Sequence, residues 1–264
     1  ELKGDIPKLQ GACRAIVLGS GPAGINAALN LAAAGADTTL LETQNKLGGG
    51  LIVSAAPPFK DKLERYRQYL IRQLQTSNVT VKLNATFEYD SIKAIKPDIV
   101  VFATGSRTRS HLFKGLDAHN SCDAFELLNT LPEHSLPSPE AGPILVLGGG
   151  ETGCEVSETL VEMGYRVILS SRSARQQLAR SAEMIYRGDL LKRLLRKPQL
   201  ELICHSELKE FTNGSAQLQL GEERITRAVA YCVLAQGRTS DKELYDALIN
   251  ETFHRILTGD ANTM

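Results

Sequence analysis

A chain that passes twice through an apolar run, a glycine-rich turn and a helix-forming stretch has few folds open to it. Arg14-Ala15-Ile16-Val17-Leu18 leads into Gly19-Ser20-Gly21-Pro22-Ala23-Gly24. Ile144-Leu145-Val146-Leu147 leads into Gly148-Gly149-Gly150-Glu151-Thr152-Gly153, 129 residues after the first turn. Each turn is followed by a stretch of helical potential, Ile25 to Ala34 and Cys154 to Met163. A glycine and a second strand-like run come next, Thr38 to Glu42 and Arg166 to Ser170. Strand, tight turn, helix and strand make a βαβ unit, whose parallel strands need helices over their faces. The self-similarity predicts an α/β chain with two such units, one inside each of two domains.

The glycine spacing says what the turns are for. In the first, Gly19 permits the turn, Gly21 lets backbone approach a pyrophosphate, and Gly24 lets the helix pack on the strand. Pro22 and Ala23 open that helix, whose free N–H groups and partial positive charge suit phosphate. Glu42 lies 23 positions after Gly19, where its carboxylate can accept from ribose hydroxyls. Two Rossmann-like dinucleotide-binding domains are therefore expected. The second loop repeats the glycines as Gly148, Gly150 and Gly153, but the same offset lands on Ser171. A carboxylate there would repel a 2′-phosphate, whereas Ser171, Arg172 and Arg175 would bind one, which favours NADPH over NADH.

Composition narrows the remaining classes. At 264 residues, with 42% apolar and 23% charged, the chain has material for two domains of ordinary size. Thirty basic residues balance thirty acidic ones, so no global field draws it to nucleic acid or an anionic membrane. No apolar run reaches the roughly 20 residues of a membrane span. Nor do the first residues, Glu1 to Asp5, read as a secretory signal. Five scattered cysteines with no CxxC argue against a disulfide framework and against dithiol chemistry, and point to a reducing cytoplasm. Cys154 reads as a small buried helix residue. Cys204 and His205, adjacent on a strand, point to opposite faces, so no metal site is expected. His111, His119, His134, His205 and His254 have no companion motif, and no catalytic residue is assigned.

Between the loops the α/β texture continues. A helix is predicted over Phe59 to Gln75, a strand over Val79 to Leu83 and a buried strand over Asp98 to Ala103. Ser106 to Pro143, with four prolines from Pro132 onward, reads as a connection between domains. A basic helix is predicted from Ala182 to Lys197, ended by Pro198. Strands follow near Leu200 to Ile203, Glu207 to Phe211, Ala216 to Leu220 and Val229 to Leu234, with a hairpin turn at Asn213-Gly214.

Further motifs, in order, give a family resemblance. Ala103-Thr104-Gly105 resembles the turn by which two-domain FAD/NAD(P)H flavoproteins leave the FAD domain. Ala235-Gln236-Gly237-Arg238 resembles the return from the NAD(P)H domain. Ile256-Leu257-Thr258-Gly259-Asp260-Ala261 resembles the closing motif whose aspartate, here Asp260, holds the ribityl chain of FAD. Lys46-Leu47-Gly48-Gly49-Gly50-Leu51, Ala55-Ala56-Pro57-Pro58-Phe59-Lys60 and the helix holding Tyr66, Tyr69 and Leu70 are similar to one branch. Lys96-Pro97-Asp98-Ile99-Val100 is similar as well. That branch is the C-terminal module of 2,4-dienoyl-CoA reductase, 2-enoate reductase and trimethylamine dehydrogenase.

The resemblance implies an FAD-binding domain over 1–108 and 245–264, with an NAD(P)H-binding domain over 109–244 inserted in it. It implies Gly49, Ala103, Thr104, Gly105, Gly237, Gly259 and Asp260 as further cofactor contacts. It also implies an NAD(P)H-dependent flavoprotein oxidoreductase acting as an electron-input module. Hydride would pass from NADPH or NADH to FAD and onward to an FMN-binding barrel with a 4Fe-4S cluster, in absent parts or a partner. There an activated C=C bond of an enoate or enoyl-CoA would be reduced. The alternative is an ADP-binding structural module, as in the amine dehydrogenases, without hydride transfer. Because the barrel, the cluster cysteines and the helix after the closing motif have no counterpart here, a piece of a larger enzyme is expected.

Overall fold

A computed structural model describes residues 6–109, 113–131 and 135–263. In chain order the elements are β1 (Arg14–Leu18), α1 (Pro22–Ala34), β2 (Asp37–Leu41), α2 (Gly50–Ala55), α3 (Asp61–Gln75), β3 (Thr80–Lys82), α4 (Tyr89–Ala94), β4 (Ile99–Phe102) and β5 (Ser106–Thr108). Then come β6 (Ser121–Asp123), α5 (Ala124–Thr130), β7 (Ile144–Leu147), α6 (Glu151–Glu162), β8 (Val167–Ser170), α7 (Met184–Leu194) and β9 (Leu200–Ile203). The chain continues through β10 (Ser206–Thr212), β11 (Ser215–Leu220), β12 (Glu223–Ala228), β13 (Tyr231–Leu234), β14 (Arg238–Ser240), α8 (Glu243–Ala247) and β15 (His254–Leu257).

Two compact units result. One holds the residues up to Ala55, Lys60–Arg107 and those from Arg238 on; the other holds Ala56–Phe59 and Thr108–Gly237. The second is thus inserted in the sequence of the first.

The first unit is a five-stranded sheet, β15-β4-β1-β2-β3, with every neighbouring pair parallel. Strands alternate their side chains, so β1 feeds both faces. Val17 joins Ile25, Ala28, Leu40, Leu70 and Val101 under α1 and α3, while Ile16 and Leu18 join Ile92, Val100, Phe102 and Leu248 on the other side. The chain leaves β1 for β2 and β3 on one side and returns to β4 on the other. The first glycine turn therefore sits at a topological switch point, where open parallel sheets hold ligands.

The second unit repeats this plan as β6-β13-β7-β8-β9, again all parallel, with the Gly148 turn at its switch point. One face of that sheet is covered by the antiparallel sheet β10-β11-β12. Leu145, Leu147, Ile168 and Cys232 pack there against Leu208, Phe211, Ala216 and Leu218.

Several elements differ from the sequence reading. The helix predicted from Phe59 begins at Asp61, because Phe59 has φ +66° and cannot be helical. The stretch from Ser106 to Pro143, expected to be a connection between domains, holds β6 and α5. The Asp123 carboxylate caps that helix by accepting from the Phe125 and Glu126 N–H groups at 2.8 and 3.2 Å. Likewise α7 begins at Met184, capped by Glu183, which accepts from the N–H groups of Ile185 and Tyr186 at 3.0 Å each. The short helix α2, the helix α4 and the charged edge strand β12 had no strong pattern. Pro132 to His134 and His111 lie outside the described residues.

Candidate functional site

In the first unit the three loop glycines divide into two kinds. A Cβ on Gly19 (φ +99°) would lie 2.4 Å from the Ala103 carbonyl oxygen, and one on Gly24 would lie 1.9 Å from that of Gly19. Both glycines let backbones touch, β1 against the turn after β4 and α1 against its own entry loop. Around Gly21, by contrast, no atom beyond its two chain neighbours lies within 4 Å of where a Cβ would stand. That opening faces the start of α1, where Gly21 is an N-cap with no side chain to bond the first N–H groups. Pro22 at N1 lacks an N–H, so the donors of Ala23 and Gly24 are the ones on offer to an anion.

Neighbouring turns frame the same opening. A Cβ on Gly49 (φ +49°) would lie 2.9 Å from Gly21 Cα, and the Gly48 N–H donates to the Ser20 carbonyl at 3.0 Å. Arg67 on α3 pins this loop by donating to the Leu47 carbonyl at 2.7 Å, while Glu64 holds its guanidinium. On the far side, a Cβ on Gly259 would lie 2.7 Å from that of Ala23, which seats the turn of Gly259 and Asp260 against the first turn of α1. Asp260 itself is exposed. Thr104 Oγ1 donates to the Asp241 carbonyl at 2.7 Å, and Gly105 (φ +74°) lets the chain turn away. Sequence reasoning missed Ser20 and Arg67. Ser20 occupies a free position of the motif, and Arg67 is one cation among several on its helix.

Glu42 is buried and does more than await a ribose. Its Oε2 accepts from the Ser20 N–H at 2.8 Å and the Ser20 hydroxyl at 2.6 Å; its Oε1 accepts from the Gln44 N–H at 2.8 Å and the Thr43 hydroxyl at 3.2 Å. A carboxylate accepts about four hydrogen bonds, so a ribose hydroxyl has to take the place of one of these donors. Thr43, at the longest distance, is the loosest. Glu42→Gln is therefore expected to lower nucleotide-free stability by about 1–3 kcal/mol, because one N–H would face the amide –NH₂. Thermal unfolding without ligand checks this.

The second unit presents a cleft of about 500 Å³, a volume suited to a dinucleotide portion. Gly148, Gly150, Ser171, Arg172 and Gly237 line it. Gly148 and Gly153 are again packing glycines, with a hypothetical Cβ 2.2 Å from the Ala235 oxygen and 1.8 Å from the Gly148 oxygen. Around Gly150 the Cβ position is open to 4 Å. The hydroxyl of Ser171 accepts from the Ser173 N–H at 3.1 Å, which leaves its own proton for a bound oxygen. Arg175, which opens a short 3₁₀ turn, is not among the residues that line the cleft. Arg180 lines it in that place, along with Gln177 and Gln236. Arg180 follows Ala179, whose φ of +47° turns the chain back toward the glycine loop; nothing local in the sequence announced it.

Both openings fit a dinucleotide: bare backbone, uncapped helix donors and no side chain in the way. The described cysteines form no disulfide. Burial pushes the thiols of Cys122, Cys154 and Cys232 up to about 12, which leaves them as small apolar fillers. Among the described residues no three His, Cys, Asp or Glu side chains gather to hold a metal, and no helix is long and apolar enough to cross a membrane. His119, His205 and His254 are exposed.

Comparison with known proteins agrees with this arrangement. The family model described as pyridine nucleotide-disulphide oxidoreductase matches residues 13–258. A bilirubin reductase of Mediterraneibacter gnavus (strain CC55_001C) is 28% identical over 94% of the chain and 37% of its own length. An NADH oxidase of Thermoanaerobacter brockii is 32% identical over 67% of the chain and 27% of its own length. In structure, a 2-naphthoyl-CoA reductase in complex with 2-naphthoyl-CoA superposes with a TM-score of 0.88 at 21% identity, covering 98% of the chain and 38% of that protein. The chain thus spans about a third of the length of these curated relatives.

Proposed function

The chain belongs to the pyridine nucleotide-disulphide oxidoreductase family, and from that premise we propose that it is the electron-input module of a larger flavin-dependent reductase. It is an NAD(P)H-dependent flavoprotein oxidoreductase. Its first unit takes FAD and its second NADPH in preference to NADH. When bound, these two cofactors supply the hydride and electron chemistry, and the chain's residues supply binding and position. The observation that carries this reading is the same uncapped helix start beside a bare glycine, Gly21 and Gly150, at both switch points.

In the first unit the Ala23 and Gly24 N–H groups take the pyrophosphate and Glu42 fixes the loop through Ser20. Asp260, on the turn against α1, reaches the chain that joins pyrophosphate to flavin. In the second, Gly150 admits the pyrophosphate, while Ser171, Arg172 and Arg180 take a 2′-phosphate. A partner domain or subunit carrying FMN in a barrel and a 4Fe-4S cluster would receive the electrons. There an activated C=C bond of an enoate or enoyl-CoA would be reduced. The relatives' greater length supports such a partner. Free cysteines throughout support a cytoplasmic setting.

The purified chain is expected to be yellow after loading with FAD; a chain that holds ADP but no flavin would fit the structural-module reading instead. Calorimetric titration is expected to show tighter binding of NADPH than of NADH. Arg172→Ala should weaken NADPH roughly tenfold or more and leave NADH unchanged, the effect of losing one charge-assisted hydrogen bond. Equal loss for both cofactors would refute the phosphate assignment.

A further inference from the structure

The two units answer the same question, what stands opposite the glycine loop, in different ways. In the first, Ser20 bonds the Glu42 carboxylate through both N–H and hydroxyl. In the second, Gly149 stands where Ser20 stood and Ser171 where Glu42 stood. A Cβ on Gly149 would lie 2.4 Å from Ser171 Oγ and 2.5 Å from Leu178 Cδ2, so the loop is drawn up under a small residue. The acid at the end of the second strand is gone, and so is the partner that would have held it.

An acid nevertheless reaches the cleft from another element. Among the described residues lining it, Glu207 is the one carboxylate, and Arg172 and Arg180 are the cations. Its place is fixed by backbone: the Ser206 N–H donates to the Ser171 carbonyl at 2.9 Å, so Glu207 and Arg172, each one residue further on, leave adjoining positions. Ser206 is anchored below by its hydroxyl, which donates to the Ile203 carbonyl at 2.8 Å and accepts from Ser170 at 2.8 Å. Lys209 pairs with Glu207 along β10, and that cation first, with Arg172 behind it, holds the Glu207 carboxyl below the usual carboxylate range. The side chain is therefore ionised at neutral pH and half exposed, held on β10 by Lys209.

We propose that Glu207 sets the margin by which this site prefers NADPH over NADH, by competing with the 2′-phosphate for Arg172. The inference rests on the reading of the cleft as the nicotinamide cofactor's adenosine site. A 2′-phosphate brought to Arg172 meets a fixed like charge on β10, whereas a 2′-hydroxyl meets an acceptor it can bond. Glu207 thus pulls against Arg172 and Arg180 and narrows the preference those cations create.

The test titrates NADPH and NADH into the 264-residue chain, E207Q and E207A, with R172A as reference and thermal unfolding as the folding check. Both Glu207 variants are expected to bind NADPH roughly three- to tenfold more tightly, as removal of one partly screened like charge should give. NADH should bind unchanged or more weakly, so the affinity ratio rises in both. A ratio within twofold of the parent in E207Q and E207A, while R172A still weakens NADPH selectively, overturns the role of Glu207 and leaves the site reading intact. A parent that binds neither cofactor, or an R172A variant with no selective loss, overturns both.

Discussion

Gly21→Val is expected to fold, at a cost of about 1 kcal/mol for a β-branched N-cap, and to lose FAD about a hundredfold or more. Gly21 has φ −66° and ψ 177°, extended backbone that valine adopts readily, and no atom beyond its two chain neighbours lies within 4 Å of its Cβ position. The folded chain therefore presents no backbone clash to a Cβ at this position. The clash comes from the ligand, because the isopropyl group fills the space through which a pyrophosphate reaches the Ala23 and Gly24 N–H groups. Losing two charge-assisted hydrogen bonds of about 1.5 kcal/mol or more each accounts for the magnitude. Gly24→Val is the opposing control: its Cβ would lie 1.9 Å from the Gly19 oxygen, so the first unit should fail to assemble at all. Flavin content and thermal unfolding, read on both variants, separate the two outcomes. A Gly21→Val chain that keeps its flavin would remove the first loop from the site.

Arg193→Met is expected to destabilise the second unit by about 3–5 kcal/mol, the other large effect in the molecule. Glu158 on α6 is completely buried, and both its oxygens are taken by Arg193 of α7, at 2.7 and 3.0 Å. One helical turn earlier, Glu155 accepts from the Tyr186 hydroxyl at 2.7 Å, and burial, with that bond second, pushes the phenol's pKa up. Truncating the arginine strands a carboxylate in the interior, which costs far more than the pair contributes. Glu158→Leu in the same chain should restore most of the loss, since an apolar pair of similar volume removes the stranded charge. Chemical denaturation midpoints of the two single variants and the double variant decide this. A mild single effect with no recovery in the double would mean that Glu158 finds water or another partner.

The glycine loops and the strands flanking them were legible because their causes are local. A packing glycine, a Pro at N1 and an unbroken apolar strand each act within a few residues, so β1, α1, β4, β7 and α6 fall close to their expected places. What the sequence hid depends on distant chain segments. Arg180 and Glu207 reach the second cleft from a turn and a strand that only the folded sheet brings together, and Arg175, nearer to the motif, is not among its lining residues. Glu42 stood out by its offset, yet its hold on Ser20 could not be read from spacing alone. The helix α5 was masked by the proline-rich texture around it, although Asp123 carried a recognisable cap. The strand β12 was masked for another reason: an edge strand alternating Arg224, Ile225, Thr226 and Arg227 carries too little apolar pattern to stand out.

The inserted arrangement also sets an order in which the chain can become itself on the ribosome. The strand β15, His254–Leu257, pairs with β4, Ile99–Phe102, across the whole of the second unit. The inserted segment, Thr108–Gly237, is nearly continuous and can complete its own sheet while later residues are still being added. The first unit has to wait, its sheet open at the β4 edge, until residues beyond 253 have emerged. Closing so long a loop costs entropy that grows with its length. An already folded insert shortens the effective loop, because β5 and β14, at its two ends, pair with each other. Synthesis should therefore pass through a stage with one finished unit and one exposed strand edge, and chaperones that bind such edges would meet this chain at that stage.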